Sequence, residues 1–129
     1  MNEKNLKFIF EEGLASYMSQ TRWCALANEL TSNRELEPKV RVKYLRDKDP
    51  MPGFSYLDWE WVKFGESSCI EWMDIDPIRK ERLGKLIPDK ETDISNFIEK
   101  SLKNAKVKYS LEQNKYRVWG YAATQPEFV

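Results

Sequence analysis

Three tryptophans fall within fourteen residues, in the segments Leu57-Asp58-Trp59-Glu60-Trp61-Val62-Lys63-Phe64 and Ile70-Glu71-Trp72. That much aromatic area is costly to leave in water, so these segments must carry it into a core. Alternation of period two runs through both. It places Leu57, Trp59, Trp61, Ile70 and Trp72 on one side, and Asp58, Glu60, Val62, Phe64, Cys69, Glu71 and Met73 on the other. The pattern predicts strands over 56–64 and 68–75, joined by the turn Gly65-Glu66-Ser67-Ser68. One face of this hairpin then packs under helices, while the other mixes carboxylates with apolar groups. The mixed face is either an ordinary solvated sheet face or a partner surface. In the second case Phe64 and Met73 are anchors and the carboxylates steer a basic partner. A slip of one residue would exchange the two faces.

The rest of the chain supplies helices to cover the tryptophans. Leu6, Ile9, Phe10, Gly13, Leu14, Tyr17 and Met18 recur at helical spacing, which predicts a helix over 4–18 with Gly13 on its apolar stripe. Ser19 or Thr21 can cap a second helix, whose buried stripe is Trp23, Leu26, Ala27 and Leu30. Val40, Val42 and Tyr44 alternate with charged residues as a strand, and Asp49-Pro50-Met51-Pro52-Gly53 makes a loop of 46–55. Asp76-Pro77 looks like a cap with proline at the first helical position, predicting a short helix that stops at Gly84. A further helix at 92–104 and strands at 106–111 and 115–122 complete the chain. The expectation is a single α+β domain over 1–129, with a helical pair at 4–31 and the sheet and further helices at 38–122. Its antiparallel sheet has about five strands, with helices packed on one face.

Composition removes many function classes. The 129 residues contain no histidine and only two cysteines, Cys24 and Cys69. Imidazole bases, His-dependent nucleophiles, histidine zinc sites and a Cys₄ cluster are therefore excluded. Two distant cysteines without an export signal predict reduced thiols in a cytoplasmic protein. No apolar run approaches the ~20 residues of a membrane span, and no secretory signal opens the chain. Twenty-one bases balance twenty-one acids, which argues against nucleic acid as the main partner. The balance is uneven, however. Residues 56–77 hold six acids and one base, against a net +1 before them and +4 after them.

Catalytic motifs are weak. Asp74-Ile75-Asp76 has the spacing of a divalent-metal D-x-D pair, although Asp76 is already accounted for as a cap. Glu60 and Glu71 on adjacent strands could pair as glycosidase carboxylates do, but on an open face without a cleft. Neither phosphate-binding glycine motif is present. Lys100, Lys103, Lys106 and Lys108 form a basic run best explained as a solvated helix end. The expectation is a protein without enzymatic activity, metal or cofactor.

Several landmarks occur in order: Thr21-Arg22-Trp23, Arg41-Val42-Lys43, Asp58-Trp59-Glu60-Trp61, Ile70-Glu71-Trp72-Met73-Asp74-Ile75 and Trp119-Gly120-Tyr121. Over roughly residues 20–75 and 115–121 this string resembles a family of small bacterial proteins grouped as a domain of unknown function. The leading helix lies outside the resemblance. Proteins of this size and style resemble the immunity proteins of toxin systems such as contact-dependent growth inhibition. The resemblance implies a cytoplasmic protein that neutralises one toxin, often a basic nuclease, by covering it. The candidate partner-binding residues are Asp58, Glu60, Phe64, Glu71, Met73, Asp74 and Asp76. The alternatives are an adaptor or regulatory module and, from another class, a small carboxylate or metal-dependent enzyme.

Overall fold

The computed structural model describes residues 2–129. In chain order the elements are α1 (Glu3–Glu11), β1 (Ala15–Ser16), α2 (Gln20–Leu30), β2 (Val40–Tyr44), α3 (Trp59–Lys63), β3 (Ile70–Ile75), β4 (Ile78–Glu81), β5 (Lys90–Asp93), α4 (Ser95–Asn104), β6 (Tyr109–Glu112), β7 (Lys115–Trp119) and β8 (Tyr121–Ala122). Single 3₁₀ turns lie at Arg34–Leu36 and Glu66–Cys69. The main sheet is antiparallel with order β2-β3-β7-β6, four strands where about five were expected; β1 pairs with β8 and β4 with β5 in two separate ribbons.

The core lies between one face of this sheet and α2, α3 and α4. Trp23, Leu26, Ala27 and Leu30 descend from α2, Trp59 and Val62 from α3, and Ile98 and Leu102 from α4. They meet Val40, Val42, Ile70, Met73, Ile75, Tyr116 and Val118 of the sheet. At about 25 cal/mol per Å² of apolar surface, this layer is the main source of stability. The cap of α2 follows the sequence. The Ser19 hydroxyl accepts from the Arg22 amide at 3.2 Å and opens α2. Between β6 and β7, Gln113 and Asn114 both take positive φ, the geometry of a tight two-residue hairpin turn.

Three expected elements are overturned. The helix of 4–18 ends at Glu11, because Gly13 sits at φ +63° and closes it. Its amide donates to Phe10 O at 3.2 Å and the Leu14 amide to Ile9 O at 2.9 Å, the paired bonds of a Schellman ending. The strand of 56–64 is instead the short helix α3, in which Trp59 and Val62 reach the core at i, i+3 spacing. The helix of 76–84 is instead β4. Asp76 does cap the Ile78 amide at 3.0 Å, but the following residues pair with β5, Ile78 opposite Asp93 and Glu81 opposite Lys90. The expected strand of 115–122 is divided at Gly120, whose amide donates to Glu71 O at 2.7 Å. A side chain there would overlap the Ile70 carbonyl oxygen.

Candidate partner-binding surfaces

A β-bulge decides which side chains of β3 face outward. Lys43 pairs with Trp72 but Tyr44 pairs with Ile70, so Glu71 is an extra residue in β3. Ile70 therefore shares the core face with Met73 and Ile75, while Trp72 and Asp74 turn to the opposite face. This corrects the register expected from the sequence, which kept Ile70 and Trp72 together. Met73 is fully buried and cannot anchor a partner.

The outer sheet face is a ladder of arginines and tryptophans around one carboxylate. Asp74, 1% exposed, accepts from Arg117 Nε at 2.7 Å and Nη2 at 3.0 Å, and from Arg41 Nη2 at 3.1 Å. The Arg117 guanidinium lies 3.7 Å from the centre of the Trp72 ring, and Trp119 Nε1 donates to Ser110 Oγ at 2.8 Å. Glu71 pairs with Lys43 at 2.8 Å, and Asp76 lies 3.9 Å from Lys115. Each of the three β3-region carboxylates is thus matched by a base on a neighbouring strand. These three acids of the middle segment are neutralised in three dimensions and serve the sheet. Bidentate arginine–carboxylate geometry of this kind fixes side chains rather than leaving them free for a ligand.

Asp58, Glu60 and Phe64 lie together elsewhere, on α3. The Asp58 carboxylate caps the helix by accepting from the Glu60 amide at 3.2 Å. Glu60 and Phe64 are one turn apart and both point to solvent, Phe64 with 80% of its surface exposed. The ridge is held firmly from below. Trp59 and Val62 are buried, and Trp61 meets Tyr44 edge to face with ring centres 5.6 Å apart. At its C-terminal end, the Gln20 amide nitrogen donates to Val62 O at 3.1 Å and Lys63 O at 2.9 Å. The same side chain accepts from the Ser67 hydroxyl. Gly65, at φ +100°, turns the chain away directly after Phe64 and leaves its ring standing clear. Glu66 adds a further exposed carboxylate, so the ridge between 58 and 66 holds three acids and one base.

Sequence reasoning missed α1 as part of this end of the molecule. Asn2 and Asn5 line a cleft with Trp61, Gly65, Glu66 and Cys69, and Arg46 Nε reaches Asn5 Oδ1 at 2.8 Å. The helix leaves Leu6 and Phe10 in solvent, Phe10 at 87%. The signal was Gly13, whose role as a helix terminator separates 3–11 from the core-forming segments.

The chemistry of the remaining groups is subdued. Cys24 and Cys69 are free thiols. Burial, helped by the nearby Glu66, pushes the Cys69 thiol above its ordinary value, which disfavours the nucleophilic thiolate. Among the described residues no three Cys, Asp or Glu side chains gather as a metal-holding group. Among the described residues no helix is long and apolar enough to cross a membrane.

No curated protein and no solved structure matches the chain. A family model does match, over residues 5–125, and so takes in α1 and the β4–β5 ribbon as well as the segments that carry the tryptophan landmarks. The chain belongs to the family of unknown function DUF6678.

Proposed function

We infer that the chain is a non-catalytic binding protein of the immunity type, which neutralises a cognate toxin in the cytoplasm by direct contact. The observation that carries this reading is the α3 ridge, where Phe64 is 80% exposed beside the Glu60 carboxylate on a helix anchored from beneath. An aromatic on a backbone already held in place has only two side-chain torsions to fix on binding, and surrounding carboxylates speed the approach of a basic partner such as a nuclease. The interface drawn from the sequence narrows to Asp58, Glu60 and Phe64, with Glu66 joining them. Glu71, Asp74 and Asp76 support the sheet behind it.

The test is capture of the protein encoded beside this one, followed by binding kinetics of two variants. Glu60→Lys is expected to slow association, more at low salt than at high. Phe64→Ala is expected to speed dissociation by about 10- to 100-fold, as for a central anchor. Unchanged constants in both variants with a captured toxin would remove the ridge as the interface.

A further inference from the structure

Among the exposed apolar groups of this chain, two sets are flanked by opposite charge and lie at opposite ends of the main sheet; Leu111 and Val129, beside β6, belong to neither. One is the acidic end just described, beside Tyr44 and Ile70, with Phe64 and Phe10 in solvent. The other begins at the far end of β3. There β4 and β5 leave the sheet as a separate ribbon, and their loop carries Leu83, Leu86 and Ile87 into solvent, Leu86 at 98% exposure. Arg79, Lys80, Arg82 and Lys85 flank these residues, with Glu81 as the one acid between Arg79 and Ile87. The root of the ribbon is fixed, since Arg79 donates to Arg34 O and to the Tyr56 hydroxyl, each at 3.1 Å. Lys80 pairs with Glu91 across the ribbon at 3.9 Å, but among the described residues Arg79, Arg82 and Lys85 make no ion pair, so the loop itself keeps an excess of positive charge.

We propose that the two ends recognise each other between copies, so that the basic apolar loop of one chain seats against the acidic α3 ridge of the next. Leu86 and its neighbours supply what Phe64 lacks, an apolar contact, and the bases meet Glu60, Asp58 and Glu66. Seated end to end, each contact joins two different surfaces and is heterologous. It builds open chains instead of closing as a symmetric pair. Zero net charge leaves no overall repulsion to oppose such association. The inference stands on this complementarity alone and needs no toxin. If the toxin reading also holds, toxin and neighbour compete for the same ridge, and the loop is a self-made stand-in for a basic partner.

Sedimentation velocity on the full chain, from micromolar to millimolar concentration, tests it without any partner present. The average mass is expected to rise with concentration and to fall as salt approaches about 0.5 M, where the screening length is only a few Å. Phe64→Lys disables the ridge, and Leu86→Glu disables the loop. Both sites are exposed, so circular dichroism should show each variant folded. Each alone is expected to remain a monomer. Mixed in equal amounts, they should form a pair that stops at two, because one good ridge and one good loop remain. A monomeric wild type at every concentration would overturn the proposal, as would association persisting in either variant alone, or a mixture that stays monomeric. Wild type that is monomeric in solution but sediments with vesicles of anionic phosphatidylglycerol would also overturn it, giving the loop to a membrane surface instead.

Discussion

Replacing Asp74 by alanine should damage this protein more than any other single loss of charge on the outer sheet face. The carboxylate is 1% exposed and accepts three hydrogen bonds from two guanidiniums on the strands either side of it. Removing one partner of a buried ion pair costs about 3–5 kcal/mol, because the remaining charge is left desolvated. Here the side chains of Arg41 and Arg117 retain 27% and 18% exposure, so water can return to part of each. We therefore expect the low end, about 3 kcal/mol, which lowers Tm by about 10 °C in a chain of this size. Urea unfolding followed by circular dichroism should show the midpoint fall by about 1.5–2 M. A triple variant, Arg41→Met, Asp74→Leu and Arg117→Met, separates the cause. With no charge left unpaired, its stability should return to within about 1 kcal/mol of wild type. A loss below about 0.5 kcal/mol in Asp74→Ala would refute the ladder as a stabilising element.

Two further outcomes follow from the same structure. Gly120→Ala should cost about 3 kcal/mol or more, measured by the same urea titration, since its Cβ would overlap the Ile70 carbonyl and the bulged strand cannot retreat. Burial raises the phenols of Tyr44, Tyr109, Tyr116 and Tyr121 above their ordinary value of 10.0. The folded state then holds these protons longer than the unfolded one, so stability is unaffected by them below pH 10 and falls as pH rises beyond it. Absorbance titration of tyrosinate should show these phenols ionising later in the folded protein than in urea.

Elements whose signals were local could be read directly. The Ser19 cap and the Trp23, Leu26, Ala27 and Leu30 stripe specify α2, and the alternation at Val40 and Val42 specifies β2. The segment 57–64 misled because it satisfies two periods at once. Leu57, Trp59 and Trp61 alternate, yet Trp59 and Val62 also fit a helical turn, and packing against α2 selects the second. Asp76-Pro77 misled differently, since an aspartate that caps the next amide but one can open a strand as well as a helix. What selects the strand is β5, whose sequence lies beyond a long loop. The site suffered most from one residue. Glu71 bulges because Gly120 and the end of β2 approach it from other parts of the chain. Parity beyond it reverses, so Met73 goes inward and Asp74 outward. No window around 70–75 contains that information. The ridge fared better, because Asp58, Glu60 and Phe64 remain exposed whether their segment is strand or helix.

The order β2-β3-β7-β6 has a consequence for the timing of folding. β3 is central, but its two neighbours come from opposite directions along the chain: β2 precedes it closely, while β7 follows after the ribbon and α4. As the chain is synthesised, β3 therefore waits with one edge bare until residues 109–119 have emerged. During that interval Trp72 lacks Arg117, Asp74 lacks two of its three hydrogen bonds, and an apolar strand edge is open to pairing with other chains. The nascent protein is at its most vulnerable late in translation, and the last hairpin both completes the sheet and ends that exposure.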